Sequence, residues 1–101
     1  PRQHIIRYPV AADGRSLGPG QFFHKVNAGW ADGFQIDEQG NLWCSAGDGV
    51  HVIAADGALL GKIRVPQRVS NLCFGDRYGS RLFICASNQL YSLFTNTRGA
   101  R

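Results

Sequence analysis

DGFQIDEQGNLWCSA (residues 32–46) returns further along the chain as NLCFGDRYGSRLFICA (71–86). Asp37 falls on Asp76, Gly40 on Gly79, Leu42 on Leu82 and Trp43 on Phe83, at an offset of 39–40 residues. A second repeat surrounds this one. RYPVAADGRSLG aligns with HVIAADGALLG, placing Ala11, Ala12, Asp13 and Gly14 on Ala54, Ala55, Asp56 and Gly57 at an offset of 43. Within each unit the apolar residues alternate with period two and the runs are broken by Asp-Gly or Gly-Asn pairs, which predicts short strands and tight turns.

Working outward from 32–46, an inner strand is expected near Phe34 to Asp37, followed by a turn over Glu38-Gln39-Gly40-Asn41. Further strands follow at Leu42–Ala46, Val50–Ala54 and Leu59–Val65, separated by turns at Gly47-Asp48-Gly49 and Asp56-Gly57. A repeat of ~40–45 residues with four short strands is the unit of a β-propeller, whereas helical repeats of that length would show a 3.6-residue period. The fold class is therefore all-β, a partial propeller of about two and a half four-stranded antiparallel blades. Residues 1–27 supply the outer strands of one blade, 28–66 a full blade, and 67–101 most of the next. A blade covers its faces only against neighbours, and a six-bladed ring needs on the order of 250 residues. Blades upstream of Pro1, or self-association, are expected to cover the exposed faces; the chain contains no Met and opens inside a strand-like run.

Composition narrows the function classes. The net charge is +4, but the eleven Lys and Arg residues are scattered along the chain, and Lys62 and Arg64 alternate with Ile63 and Val65 as on a solvated strand face. No basic stripe with interleaved aromatics appears, which argues against nucleic acid. No apolar run reaches the ~18–20 residues of a membrane span. Cys44, Cys73 and Cys85 lack CxxC spacing and read as buried, reduced thiols, a count favouring a cytoplasmic setting. His4, His24 and His51 share no repeat position and make a poor metal cluster, and His51, between Val50 and Val52, is expected to face outward. Ser45, Ser70 and Ser87 sit in no nucleophile signature.

Polar residues at the start of innermost strands face the channel of a propeller. Asp32 and Asn71 precede inner apolar strands and are expected at equivalent positions on neighbouring blades, with Phe34 and Ile36 buried between blades. Their oxygens suit a hard divalent cation such as Ca²⁺, Mg²⁺ or Mn²⁺. Asp32-Gly33 is equally a common turn dipeptide. Trp30 either walls the channel mouth against a substrate ring or packs between blades, while Trp43 and Phe83 are expected to be apolar anchors between blades.

The stretch GWADGFQIDEQGNLWCSAGDGVHVIAADGALLGKI, followed by VSNLCFGDRYGSRLFICASNQLYSL, resembles the C-terminal third of the gluconolactonase and senescence marker protein (regucalcin) family. Its most specific parts are ADGF-x-ID-x-x-GNLW, SAGDGVHV, and NLCFG followed by LF-x-CAS. The resemblance implies a six-bladed propeller, a divalent metal in the channel (Ca²⁺, or Zn²⁺, Mn²⁺ or Mg²⁺) and hydrolysis of sugar lactones. It places the family's metal-ligating and catalytic aspartate on Asp32 and makes Asn71, with Trp30, a substrate-side candidate. The remaining ligands would lie upstream of Pro1, so this chain alone is expected to be inactive and to bind metal weakly. A non-catalytic propeller platform, and a related metal-dependent esterase or organophosphate hydrolase, remain as alternatives.

Overall fold

A computed structural model describes residues 4–26 and 31–100. Among the described residues nine strands form three antiparallel sheets: β1 (His4–Arg7) with β2 (Gln21–Lys25); then β3 (Phe34–Ile36), β4 (Leu42–Ala46), β5 (Gly49–Ile53) and β6 (Leu59–Arg64) in chain order; then β7 (Val69–Gly75), β8 (Arg81–Ala86) and β9 (Gln89–Phe94), also in chain order. These are successive blades of an unclosed propeller. No helix among the described residues is long and apolar enough to cross a membrane.

The turn chemistry reproduces both sequence repeats. Gly14 N–H donates to Ala11 O at 2.8 Å and Gly57 N–H to Ala54 O at 2.9 Å, both glycines having positive φ. In each turn the aspartate accepts from the amide two residues on, Asp13 from Arg15 and Asp56 from Ala58. Gly40 and Gly79 close the inner hairpins by donating to Asp37 O and Asp76 O. At the β4–β5 hairpin, Ala46 pairs with Gly49 across Gly47-Asp48. Gly49 takes φ +142°, and a Cβ there would run into Ile63 O, so the position admits only glycine.

Period-two alternation on β4 divides the core. Trp43 faces the third blade and packs with Val50, Val65, Val69, Leu72, Leu82 and Ile84, its ring edge-on to Phe74 at 5.2 Å. Leu42, Cys44 and Ala46 face the first blade, with Val26 and Ile53. This middle strand is buried along its whole length because neighbouring blades cover both faces. The last residues return to the foot of β3: Glu38 N–H donates to Arg98 O and Ala100 N–H to Ile36 O, each at 2.8 Å, and the Arg98 guanidinium pairs with Glu38.

Four expectations are corrected. Phe34 and Ile36 are 59% and 46% exposed, because β1 and β2 reach only part of the β3 face, leaving both side chains along an apolar groove with Ile5, Ile6 and Phe23. Of the three free cysteines only Cys44 is buried; Cys73 and Cys85 lie exposed on blade three. His51 is 1% exposed and points inward. Phe83 repeats the position of Trp43 but stays only half-buried on blade three, where Arg81 crosses its ring.

Candidate metal and substrate site

Asp32 lies immediately before β3, outside the ladder, and is held there by a residue two strand positions beyond Trp43. Ser45 Oγ accepts hydrogen bonds from both Asp32 N–H and Gly33 N–H at 2.8 Å, and Ser45 N–H donates to Gly33 O at 2.8 Å. Asp32 itself is exposed, beside a hollow lined by His4, Ile5, Phe34 and Cys44. Its carboxylate makes no hydrogen bond or ion pair with any described residue.

Asn71 comes to this turn from the next blade. A Cβ at Gly33 would collide with Asn71 Oδ1 and lie 3.3 Å from the Asn71 Cα, so glycine is what lets the two blades approach here. Asn71 Oδ1 is partly engaged, accepting from Leu72 N–H at 2.9 Å. The register moves the repeat by one residue from its sequence alignment. Phe34 opposes Cys44 as Leu72 opposes Ile84, so the ladder counterpart of Asn71 is Gly33, and Asp32 corresponds to Ser70. The blade-three hairpin is longer by one residue on each side of its turn, and the sequence alignment follows the turn. Asp32 and Asn71 are thus neighbours but not equivalents. Trp30 lies outside the described residues.

Among the described residues no group of three or more His, Cys, Asp or Glu side chains converges as a cation site. The donor set therefore fits one corner of a divalent coordination sphere: an unengaged, exposed carboxylate on an anchored backbone.

The family model for the SMP-30/gluconolactonase/LRE-like region matches residues 1–88. The chain belongs to this family. Among its relatives, a gluconolactonase of Zymomonas mobilis is 43% identical over 81 residues, covering 78% of this chain and 22% of that protein. A gluconolactonase structure from Xanthomonas campestris superposes with a TM-score of 0.77 at 36% identity, covering 94% of this chain and 30% of the other. Regucalcin from Agrobacterium tumefaciens, a calcium-binding protein, shares the fold at a TM-score of 0.82 and 21% identity, over 97% of this chain and 40% of its own. The chain thus spans well under half the length of these relatives.

Two polar clusters in this SMP-30/gluconolactonase propeller segment were not foreseen from sequence. Asp37 is 1% exposed yet fully engaged: Oδ1 accepts from Gln39 N–H and Asn41 N–H, and Oδ2 from Asn41 Nδ2 and Trp43 Nε1. Burial pushes this carboxyl up, but the donated hydrogen bonds outweigh it and hold it below its usual range. The spacing ID-x-x-GNLW carried the signal, since an aspartate before a tight turn satisfies the following amides.

The second cluster crosses from blade one to blade two. His24 Nε2 lies 3.2 Å from His51 Nδ1, His51 Nε2 lies 3.0 Å from Asp48 Oδ1, and Lys62 Nζ lies 3.2 Å from Asp48 Oδ2. An ionised Asp48 makes His51 Nε2 the donor, so in neutral His51 the Nδ1 accepts from His24 Nε2–H. Burial, then the neighbouring His51 and Lys62, lower the His24 pKa. Asp48 is also held low, its burial outweighed by His51 and Lys62. No sequence repeat relates positions 24 and 51; the pairing comes from the packing of β2 on β5.

Proposed function

We propose that this chain is the C-terminal portion of a metal-dependent sugar-lactone hydrolase, with Asp32 as a metal ligand and Asn71 on the substrate side. The supporting observation is the exposed, unengaged carboxylate of Asp32 on an anchored turn, in a chain of this family that is 43% and 36% identical to two gluconolactonases. Residues 1–27, 28–66 and 67–101 serve as outer strands, full blade and partial blade of one propeller domain of six blades. Trp30 is kept as a substrate-side candidate on the family resemblance alone.

When bound, a divalent cation, Ca²⁺ by analogy with the regucalcin relative, would supply Lewis-acid polarisation of the lactone carbonyl and a water of lowered pKa. Asp32 would help hold that ion through its negative charge, and its carboxylate would accept the proton of the attacking water. Asn71, fixed through Leu72 N–H, presents its Nδ2 as a donor to a sugar hydroxyl or ring oxygen. The other ligands come from blades outside this chain.

The test joins the segment to the remaining blades in the full-length protein and compares it with Asp32→Asn, which keeps shape but removes the charge. Metal affinity by calorimetry with Ca²⁺, Mn²⁺ and Zn²⁺, and gluconolactone hydrolysis followed by acid release, should fall together, turnover by roughly a hundredfold or more. Unchanged affinity with unchanged turnover would return Asp32 to the role of a turn residue.

A further inference from the structure

We infer that Ser45 is a positioning residue that fixes the Asp32–Gly33 turn so that the Asp32 carboxylate is presented as a ligand, an inference resting on the reading of Asp32 above. Ser45 is 0% exposed, and its Oγ is the shared acceptor of two consecutive amides. In an extended strand consecutive N–H groups point to opposite sides. Their convergence on one oxygen is the concave arrangement that elsewhere captures anions, here filled by the protein's own hydroxyl. The third bond, Ser45 N–H to Gly33 O, ties the same turn to β4. Asp32 is thereby kept out of the β3 ladder, which begins only at Phe34.

The hydroxyl is specific to the blade that carries Asp-Gly. In blade three the ladder places Cys85 opposite Asn71 where blade two has Ser45 opposite Gly33, and sulfur is a weak acceptor. On β4 the residues around Ser45 are apolar or thiol: Leu42, Trp43, Cys44 and Ala46. A buried hydroxyl among them is costly unless bonded, and its bonds go to the Asp32 turn. Residues that orient a metal ligand without touching the metal change affinity by roughly ten- to a hundredfold when removed.

The experiment uses the full-length protein that carries this segment, ¹⁵N-labelled, with Mn²⁺ as a paramagnetic probe that reports occupancy residue by residue. In the wild type the Asp32 and Gly33 amides should be protected from hydrogen exchange, and Mn²⁺ should broaden their resonances selectively. Ser45→Ala should speed exchange at these two amides on the order of tenfold. It should also raise the Mn²⁺ concentration for half-broadening by a similar factor, leaving the amides of Val50 and Leu82 unaffected. Ser45→Thr, which keeps the hydroxyl, should restore both. Should Ser45→Ala fail to fold, Ser45→Cys replaces it, keeping the size and weakening the acceptor. Unprotected Asp32 and Gly33 amides in the wild type would overturn the proposal, as would an unchanged Mn²⁺ midpoint in Ser45→Ala. If Asp32→Asn abolishes broadening while the Ser45 variants do nothing, this inference alone fails. If the wild type shows no broadening at Asp32, the ligand reading of Asp32 fails and Ser45 is a purely structural clamp.

Discussion

Asp32 and Asp37 flank one short inner strand and are used in opposite ways. Asp32 keeps an exposed carboxylate with its backbone tied down; Asp37 spends both oxygens on four donors inside the fold. Asp37→Asn preserves the shape, but its amide nitrogen would face Trp43 Nε1–H and the Asn41 side-chain amide, donor against donor. With at least one buried donor left unsatisfied, the loss should be about 2–3 kcal/mol, read as a lower urea midpoint with an unchanged slope. A loss under about 0.5 kcal/mol would mean that the Asp37 cluster tolerates rearrangement. Because the Asp37 carboxyl is held low in the folded chain, its stabilisation is present above pH 3.8 and fades as the pH falls below it.

At the level of strands and hairpins, the sequence was legible wherever turn chemistry and alternation agreed. The four strands of the middle blade fall within a residue or two of their expected bounds, because Gly40, Gly49 and Gly57 punctuate them at positions with positive φ. What alignment could not supply was the register of β7 on β8, since an extra residue on each arm of the hairpin leaves the turn aligned and shifts Asn71 onto Gly33. Nor could alternation reveal which faces are covered. Cys73 and Cys85 sit in strands as apolar as that of Cys44, yet lie on a face that no described strand covers. For a thiol reagent at pH 8, the expected pattern is two rapidly modified cysteines and one slow one, Cys44, whose burial raises its pKa to about 11. Peptide mapping would identify them. Slow modification of Cys73 and Cys85 in the isolated chain would show that another copy covers blade three, whereas in the closed ring all three should react slowly.

Across the whole molecule, blades are joined by apolar packing on both sides of β4, and among the described residues the junction of blades one and two carries a pair of buried histidines in its interior. His24 on β2 faces His51 on β5, and behind His51 stand Asp48 and Lys62, with the Cys44 thiol opposite His51 in the ladder. A proton added to His24 places a charge in a buried position beside His51 and within the field of Lys62, so the folded chain resists it and the His24 pKa drops below 6.5. The sign follows directly. The unfolded chain takes up this proton near pH 6.5 while the folded chain does not, so the stabilisation is complete above 6.5 and is lost as the pH falls towards the lower folded value. This window lies above the one in which the Asp37 and Asp48 carboxyls lose their contributions, which opens only below 3.8. Urea unfolding at pH 7.5, 6.0 and 5.0 should therefore show a falling midpoint in the wild type. His24→Gln, whose amide nitrogen can still donate to His51 Nδ1 but does not titrate, should flatten that fall. An equal or steeper pH dependence in His24→Gln would remove His24 as its source.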